Sequence, residues 1–403
     1  MLVRGTGLRS YPRLYFEMIA VGFTAIMGMS LGTSFLPILA LDLDPSGALV
    51  GLVVAAWFLS RVFIELPAGI ISDRIGRRKL LIAGVGLSSM GAFLCARADS
   101  IYLLILGRAV WGLGTALYFM CNTALIIDIT DAKSRGQAMG TFNGIEFIGS
   151  FVGTPIGAFL AGYVGYSNVY YFTLVLTLNS LIVAVTSKSL KAAGGRKEEK
   201  RDHSVRQSLI GLRSMGVVVI CMCSFFRMLL MQGIFSTVFE LHLKEELLFS
   251  LTEIGFAMSL RTGGHIVATI SSGYLSNRFG RRNVVMAGFV IDAACLLSLT
   301  VMSTLPPLLV VGFVEGIGEG LVFTSLMVLL SDIVHPSVRG GAIGLFRTFQ
   351  DIGGFLGPIV FMAVYSSFDS RAAFLLAVCV NVLNISLLVL TRRTRGKEES
   401  HEE

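Results

Sequence analysis

Charge is scarce in this chain. Asp, Glu, Lys and Arg make up 15% of its 403 residues, against about 25% in an average soluble domain, and that deficit excludes an ordinary soluble protein. No Gly-x-x-x-x-Gly-Lys-Ser/Thr loop is present, which argues against an ATP-driven pump. No Gly-x-Ser-x-Gly elbow occurs and no helix carries paired histidines at metal-ligand spacing, so neither a serine nucleophile nor a metal centre is indicated. No cofactor and no metal are expected. The six cysteines, Cys95, Cys121, Cys221, Cys223, Cys295 and Cys379, all fall in apolar stretches and read as small apolar packers. The start, MLVRGTGLRSYPR, lacks a short apolar core with a cleavage site, so no removable signal peptide is expected.

What is abundant is hydrophobic surface. Apolar residues make up 54% and collect in runs of about 18–27 residues, and roughly 20 residues of helix cross a hydrocarbon core. The reading gives twelve spans: Leu14–Ala40, Gly47–Ile71, Leu80–Ala96, Ile101–Ile127, Gly136–Gly162, Val169–Ser187, Ser214–Glu240, Thr252–Ser276, Val284–Ser303, Leu305–Ser331, Gly340–Tyr365 and Arg371–Thr391. The net charge of +7 follows from topology rather than nucleic-acid binding, and no nucleic-acid partner is expected. With a cytoplasmic N-terminus, 25 of the 33 Lys and Arg fall in tails or cytoplasmic loops. Only Arg97, Lys244 and Arg371 fall on the outer side. This asymmetry predicts both termini in the cytoplasm.

The basic loop GIISDRIGRRK, starting at Gly69, returns as GYLSNRFGRRN at Gly273, 204 residues later. At the same offset Ala83-Gly84 returns as Ala287-Gly288, Asp128 as Asp332, and Gly149 and Gly153 as Gly353 and Gly357. One offset holding through four helices predicts duplication with parallel topology. The expected architecture is an all-α membrane protein with six-helix halves at 1–187 and 214–391. A cytoplasmic linker at 188–213 joins them, and a cytoplasmic tail follows at 392–403.

These features resemble the major facilitator superfamily of secondary transporters. The loop pattern Gly-x-Leu-x-Asp-Arg-x-Gly-Arg-Arg/Lys is matched by Gly69, Asp73, Arg74, Gly76, Arg77 and Arg78, with Ile71 in place of the leucine. The helix 4 pattern Arg-x-x-x-Gly-x-Gly is matched by Arg108, Gly112 and Gly114. The glycine-rich helix 5 pattern of the family's exporters is matched in part by Gly149, Gly153, Thr154, Pro155, Gly157 and Ala158, with the proline displaced by one residue. The resemblance implies a cytoplasmic gate in which Arg77 reaches Asp128. The second copy has Asn277 in place of Asp73, followed by Arg281, so its latch is expected to be weaker. The alternative is that these charges only set topology.

The resemblance also implies that helices 1, 2, 4, 5, 7, 8, 10 and 11 line a central cavity. Ionisable groups at membrane depth cost about 2.5–3.5 kcal/mol each, so they face cavities and partners. Trp57, Arg61 and Glu65 share one face of helix 2, and Arg61 and Glu65 can pair. Arg108, Trp111, Thr115, Tyr118 and Asn122 form a polar and aromatic stripe on helix 4. Helix 5 carries Asn143 and Glu146, whose repeat partners are Arg347 and Gln350. Arg261 and His265 are four apart, as are Glu315 and Glu319, and Arg227 is a plausible partner for these acids. Asp292 carries little weight, because helix 9 is expected outside the cavity.

Glu65, Arg108, Glu146, Glu319 and His265 are the proton-coupling candidates. Each is open to a purely structural reading as a paired or hydrogen-bonded group. The expected function is proton-coupled transport of an organic small molecule by a monomer in the plasma membrane, with export by antiport favoured. Proton symport of a small solute or anion is the alternative. A membrane sensor or an intramembrane enzyme on the same scaffold is remote.

Overall fold

The computed structural model describes residues 12–130, 135–193, 214–334 and 339–399. At 65–75, 127–128, 135–137, 193, 339–341 and 390–399 the backbone alone is described. All regular structure among these residues is helical. The long helices are α1 (Arg13–Leu43), α2 (Val50–Ile75), α3 (Arg77–Ala96), α4 (Ile101–Ile129), α5 (Arg135–Val164), α6 (Tyr166–Thr186), α7 (Met215–Glu246), α8 (Leu251–Phe279), α9 (Arg281–Leu299), α10 (Leu305–Ile333), α11 (Arg339–Ser367) and α12 (Ser370–Glu399). A 3₁₀ turn at Thr33–Phe35 interrupts α1. Wider π-helical turns at Met231–Val238 and His242–Glu246 interrupt α7.

Among the described residues, nine of these helices are long and apolar enough to cross a membrane. The three that fall short are α2, α8 and α11. The described apolar part of α2 ends at Ile64, while α8 carries Arg261 and His265, and α11 carries Arg347 and Asp351. The charges on α8 and α11 lower their apolar character.

Packing partners repeat at the same offset as the sequence. In the first bundle α1 packs on α5, α2 on α4, and α3 on α4 and α6. In the second α7 packs on α11, α8 on α10, and α9 on α10 and α12. Glycine sets these crossings in both bundles. A Cβ on Gly84 would sit 2.8 Å from the Gly114 carbonyl oxygen, and one on Gly288 would sit 2.7 Å from that of Gly318. Side chains there would force the helices apart, as in membrane helix pairs built on small residues. Gly288→Leu is therefore expected to cost at least the ~1–3 kcal/mol of core overpacking, read as a lower thermal unfolding midpoint. Gly162→Leu, whose Cβ meets nothing within 4 Å, should leave the midpoint unchanged.

The two bundles meet through α2 against α11 and α5 against α8, and they diverge along those contacts. On α8 the stripe facing α5 starts packed: Ser259 Oγ donates to the Phe151 carbonyl at 3.4 Å, and Gly263 lies against the Phe151 ring. One turn further the same stripe is bare, with Val267, Ile270 and Tyr274 exposed. On α11, Gly354 lies against the Phe58 ring, whereas Gly344 has open space around it. The core agrees. One apolar cluster at the closed end draws on both bundles, including Phe35, Val50, Tyr170, Phe239, Ile254 and Phe361. Towards the other end it splits into a first-bundle and a second-bundle cluster. The molecule is a V, sealed at one end and open at the end bearing the basic turns.

Both basic turns need their glycine. Gly76 and Gly280 have φ of +93° and +84°, a region that side chains disfavour. The closed end is tied by polar caps instead. Glu253 completes a capping box with Ser250, and Asp44 accepts from the Ser46 hydroxyl. These bonds hold both carboxyls below their usual range, the Ser250 and Ser46 side chains being the largest causes. Their contribution is present above the unfolded carboxylate range and is lost as pH falls through the lowered values.

Candidate functional site

Four helices of the second bundle converge on one buried charge network. Glu315 and Glu319 lie one turn apart on α10. Arg261 on α8 grips Glu315 through Nε and through Nη2, the latter 3.1 Å from Oε1. Arg227 on α7 donates to Glu319 Oε1, and His265 Nδ1 meets Oε2 of the same carboxylate. Asp292 on α9 approaches from behind, its Oδ1 against Gly318. Glu315 is 1% exposed, and Glu319 and Arg227 4% each, so these charges are held away from water and depend on each other. The cations also rest on rings: Arg261 is 4.5 Å from the Phe235 centroid and Arg227 5.1 Å from that of Phe323. His265 forms the border of the network. Its ring is 5.2 Å from Phe147 of α5 in the first bundle, so the network reaches the space between the bundles.

The duplication has no second copy of this chemistry. The 204-residue offset maps Asp292, Glu315 and Glu319 onto Ser88, Trp111 and Thr115. Those three line a small neutral cavity with Ile26, Val85 and Tyr118. The repeat supplies the same helix crossings twice, and substitution places charge in one of them.

The first bundle holds a smaller polar chain. The Tyr118 hydroxyl donates to Glu146 Oε1 at 2.9 Å and accepts from Asn122 Nδ2 at 2.6 Å. Two expected cavity residues on α4 turn the other way. Trp111 is 1% exposed, packed against the Gly91 backbone of α3 and 6.3 Å from the Tyr170 ring of α6. Asn122 is fully buried. The glycine-lined α3–α4 crossing draws this stripe into the bundle. Arg108 goes with it, 5.7 Å from the Trp111 ring. The low weight given to Asp292 is likewise corrected. The face of α9 that packs on α10 puts it against the network.

Across the bundle interface Arg61 Nε donates to Asp351 Oδ1 at 3.3 Å. Its guanidinium lies 4.5 Å from the Trp57 ring and 5.6 Å from Phe119. Asp351 was absent from the sequence candidates. Its signal was available, because α2 and α11 run antiparallel and both carry charges four residues apart. Arg347 and Asn143 are exposed toward the opening, and Gln350 is half-buried. The side chain of Glu65 lies outside the described residues.

At the open end Arg281 pairs with Asp332, so the second basic turn has an ion pair although residue 277 is Asn, itself exposed. In the first turn Arg78 Nη2 donates to the Val185 carbonyl at 2.9 Å. The side chains of Asp73, Arg74 and Asp128, and with them the expected Arg77–Asp128 contact, lie outside the described residues, as does anything beyond the backbone at Gly69. Five of the six cysteines are buried and Cys379 is exposed.

Comparison with known proteins agrees with this geometry. The family model described as Major Facilitator Superfamily matches residues 18–232 and 220–403. The quinolone resistance protein NorA of Staphylococcus aureus (strain MSSA476) is 24% identical over 392 residues, 95% of this chain and 97% of NorA. Multidrug resistance protein 1 of Bacillus subtilis (strain 168) is 24% identical over 84% of this chain and 86% of its own length. Among solved structures, a bacterial homolog of the human lysosomal transporter Spinster superposes with a TM-score of 0.79 at 16% identity, over 94% of this chain and 96% of that one. The nucleoside transporter NupG gives 0.78 at 15% identity, over 94% and 99%. With the V-shaped fold, the apolar helices and a family match running through both bundles, the chain belongs to the major facilitator superfamily, as a multi-pass transporter of the cell membrane and not an enzyme.

Proposed function

We propose that this protein is a proton-coupled secondary active transporter that exports an organic small molecule by proton antiport. The observation that carries the reading is Glu319, a buried carboxylate shared by Arg227 and His265 at the edge of a space open at one end. A carboxylate so placed can exchange a proton when its partners move. The names of the relatives, a quinolone resistance protein and a multidrug resistance protein, favour export of drug-like compounds. The distribution of Lys and Arg favours twelve spans with both termini cytoplasmic. The open end then faces the cytoplasm, and transport is a rocking of the 1–187 half against the 214–391 half about the site. The unit is a monomer in the bilayer, the coupling ion is H⁺, and no further cofactor is needed.

The test uses everted vesicles with an acidic interior. A fluoroquinolone, an aromatic cation such as ethidium, and an aromatic acid are added in turn. Antiport is expected to release the gradient on addition of at least one of them, in proportion to the amount of transporter. A gradient untouched by all three would count against antiport. A symporter would carry protons inward with the added compound, so a gradient that deepens on addition would favour symport.

A further inference from the structure

Glu240 is a carboxylate that the proposed coupling network does not use. It lies on α7 within the apolar seal at the closed end, 1% exposed, between Phe239 and Leu241, which are also buried. It makes no hydrogen bond among the described residues, and its Oε2 is fully enclosed. Phe239–Leu241 touch Leu36–Leu43 of α1, so Glu240 sits where the two bundles meet. The backbone is irregular on both sides, with π-helical turns at Met231–Val238 and His242–Glu246, a distortion frequent at functional positions.

The charged and titratable groups around it are few. Arg261 on α8 and Tyr170 on α6 are within electrostatic reach. Arg261 is already committed to Glu315 by two hydrogen bonds. The Tyr170 hydroxyl is buried and unpartnered too. On α1, Asp42 faces Tyr166 and not Glu240. On α7 itself His242 Nδ1 pairs with Glu246 at 2.8 Å, and Ser370 donates to Glu246 at 2.7 Å. While the seal is shut, an ionised Glu240 therefore has only the distant Arg261 charge to offset it and no hydrogen bond. A carboxylate without partners in an apolar environment is costly ionised and tolerable neutral.

We propose that Glu240 is a second proton-binding site, filled from the closed side, and that the seal forms only around its protonated form. When the bundles part at this end, water reaches Glu240 and the proton leaves to it. Before the end can close again, a hydronium ion returns a proton to the carboxylate and departs as water. The site makes sealing depend on the pH of the closed-side compartment. It rests on the alternating-access reading but not on Glu319 carrying the coupling proton.

Spin labels at Ala48 and Ser366, exposed residues of opposite bundles at the closed end, report the opening by pulsed dipolar distances. The background is Cys379→Ser, in nanodiscs without substrate. The long-distance population is expected to rise at least about fivefold from pH 5 to pH 9. In Glu240→Gln, which mimics the neutral acid, it should change less than about twofold. Glu240→Leu should also flatten the response and serves if the Gln variant does not fold. His242→Gln should keep it. The proposal is overturned if Glu240→Gln and Glu240→Leu keep the pH response, if His242→Gln alone removes it, or if the parent shows none. Antiport is read separately from vesicle gradients, so either idea can fail alone.

Discussion

Replacing Glu319 by Gln is expected to abolish proton-driven export and to destabilise the protein, and the two losses are separable. Glu319 is the common acceptor of Arg227 and His265. Without its charge, Arg227 stays 4% exposed beside Phe323 and the more distant Asp292. Removing one partner of a buried ion pair costs about 3–5 kcal/mol, because the other charge is stranded. That alone should lower the unfolding midpoint by several degrees. The double variant Glu319→Gln with Arg227→Met removes the stranded cation and replaces it with a flexible apolar side chain. Its midpoint should return most of the way to the parent's. Export should not return, since a glutamine cannot exchange a proton. With both variants folded, gradient-driven export is expected to fall by on the order of 100-fold or more, the scale of 3 kcal/mol at about 1.4 kcal/mol per decade. Restored export in the double variant would move the coupling proton elsewhere, and Glu146, hydrogen-bonded to Tyr118, would be the next site to test.

The architecture was legible because it rests on repetition. Gly84, Gly288, Gly114 and Gly318 occur at one offset and occupy equivalent helix crossings. The i, i+4 spacing of Arg261 with His265 and of Glu315 with Glu319 placed each pair on one helix face. Which acid meets which cation was not legible, because that depends on how far α7 and α8 are rotated against α10. The inward turn of Trp111 and Asn122 on α4 has the same cause. Periodicity shows that Trp111, Tyr118 and Asn122 share a side of the helix, but two neighbours compete for that side, and the glycines of α3 decide in favour of the bundle interior. Asp292, Asp351 and Glu240 were passed over one at a time. Asp292 is a single charge in an apolar run, and for all three only the three-dimensional neighbours show what the carboxylate meets.

Exchanging the charges of Arg61 and Asp351 is expected to restore transport that either single change removes. This pair links α2 to α11 at the level where the V begins to open. On the closed side Gly354 lies against Phe58; on the open side Arg347 is exposed. The pair joins the bundles at that level, so its loss should slow their movement against each other. Asp351 is 4% exposed, and Asp351→Ala removes the carboxylate on α11 that Arg61 meets across the interface. Arg61→Asp puts two carboxylates together, and like charges so close cannot both ionise readily. Each single variant is expected to lose at least about tenfold in transport rate, about 1.4 kcal/mol or more. The reversed pair, Arg61→Asp with Asp351→Arg, keeps the attraction but gives up the stacking of Arg61 on Trp57, worth about 0.5–2 kcal/mol. Recovery should therefore be partial, with the double variant exceeding both singles by several-fold. If the reversed pair folds and transports no better than the worse single variant, attraction between the bundles is not what Arg61 supplies. The arginine would then be acting through its stacking on Trp57 and Phe119.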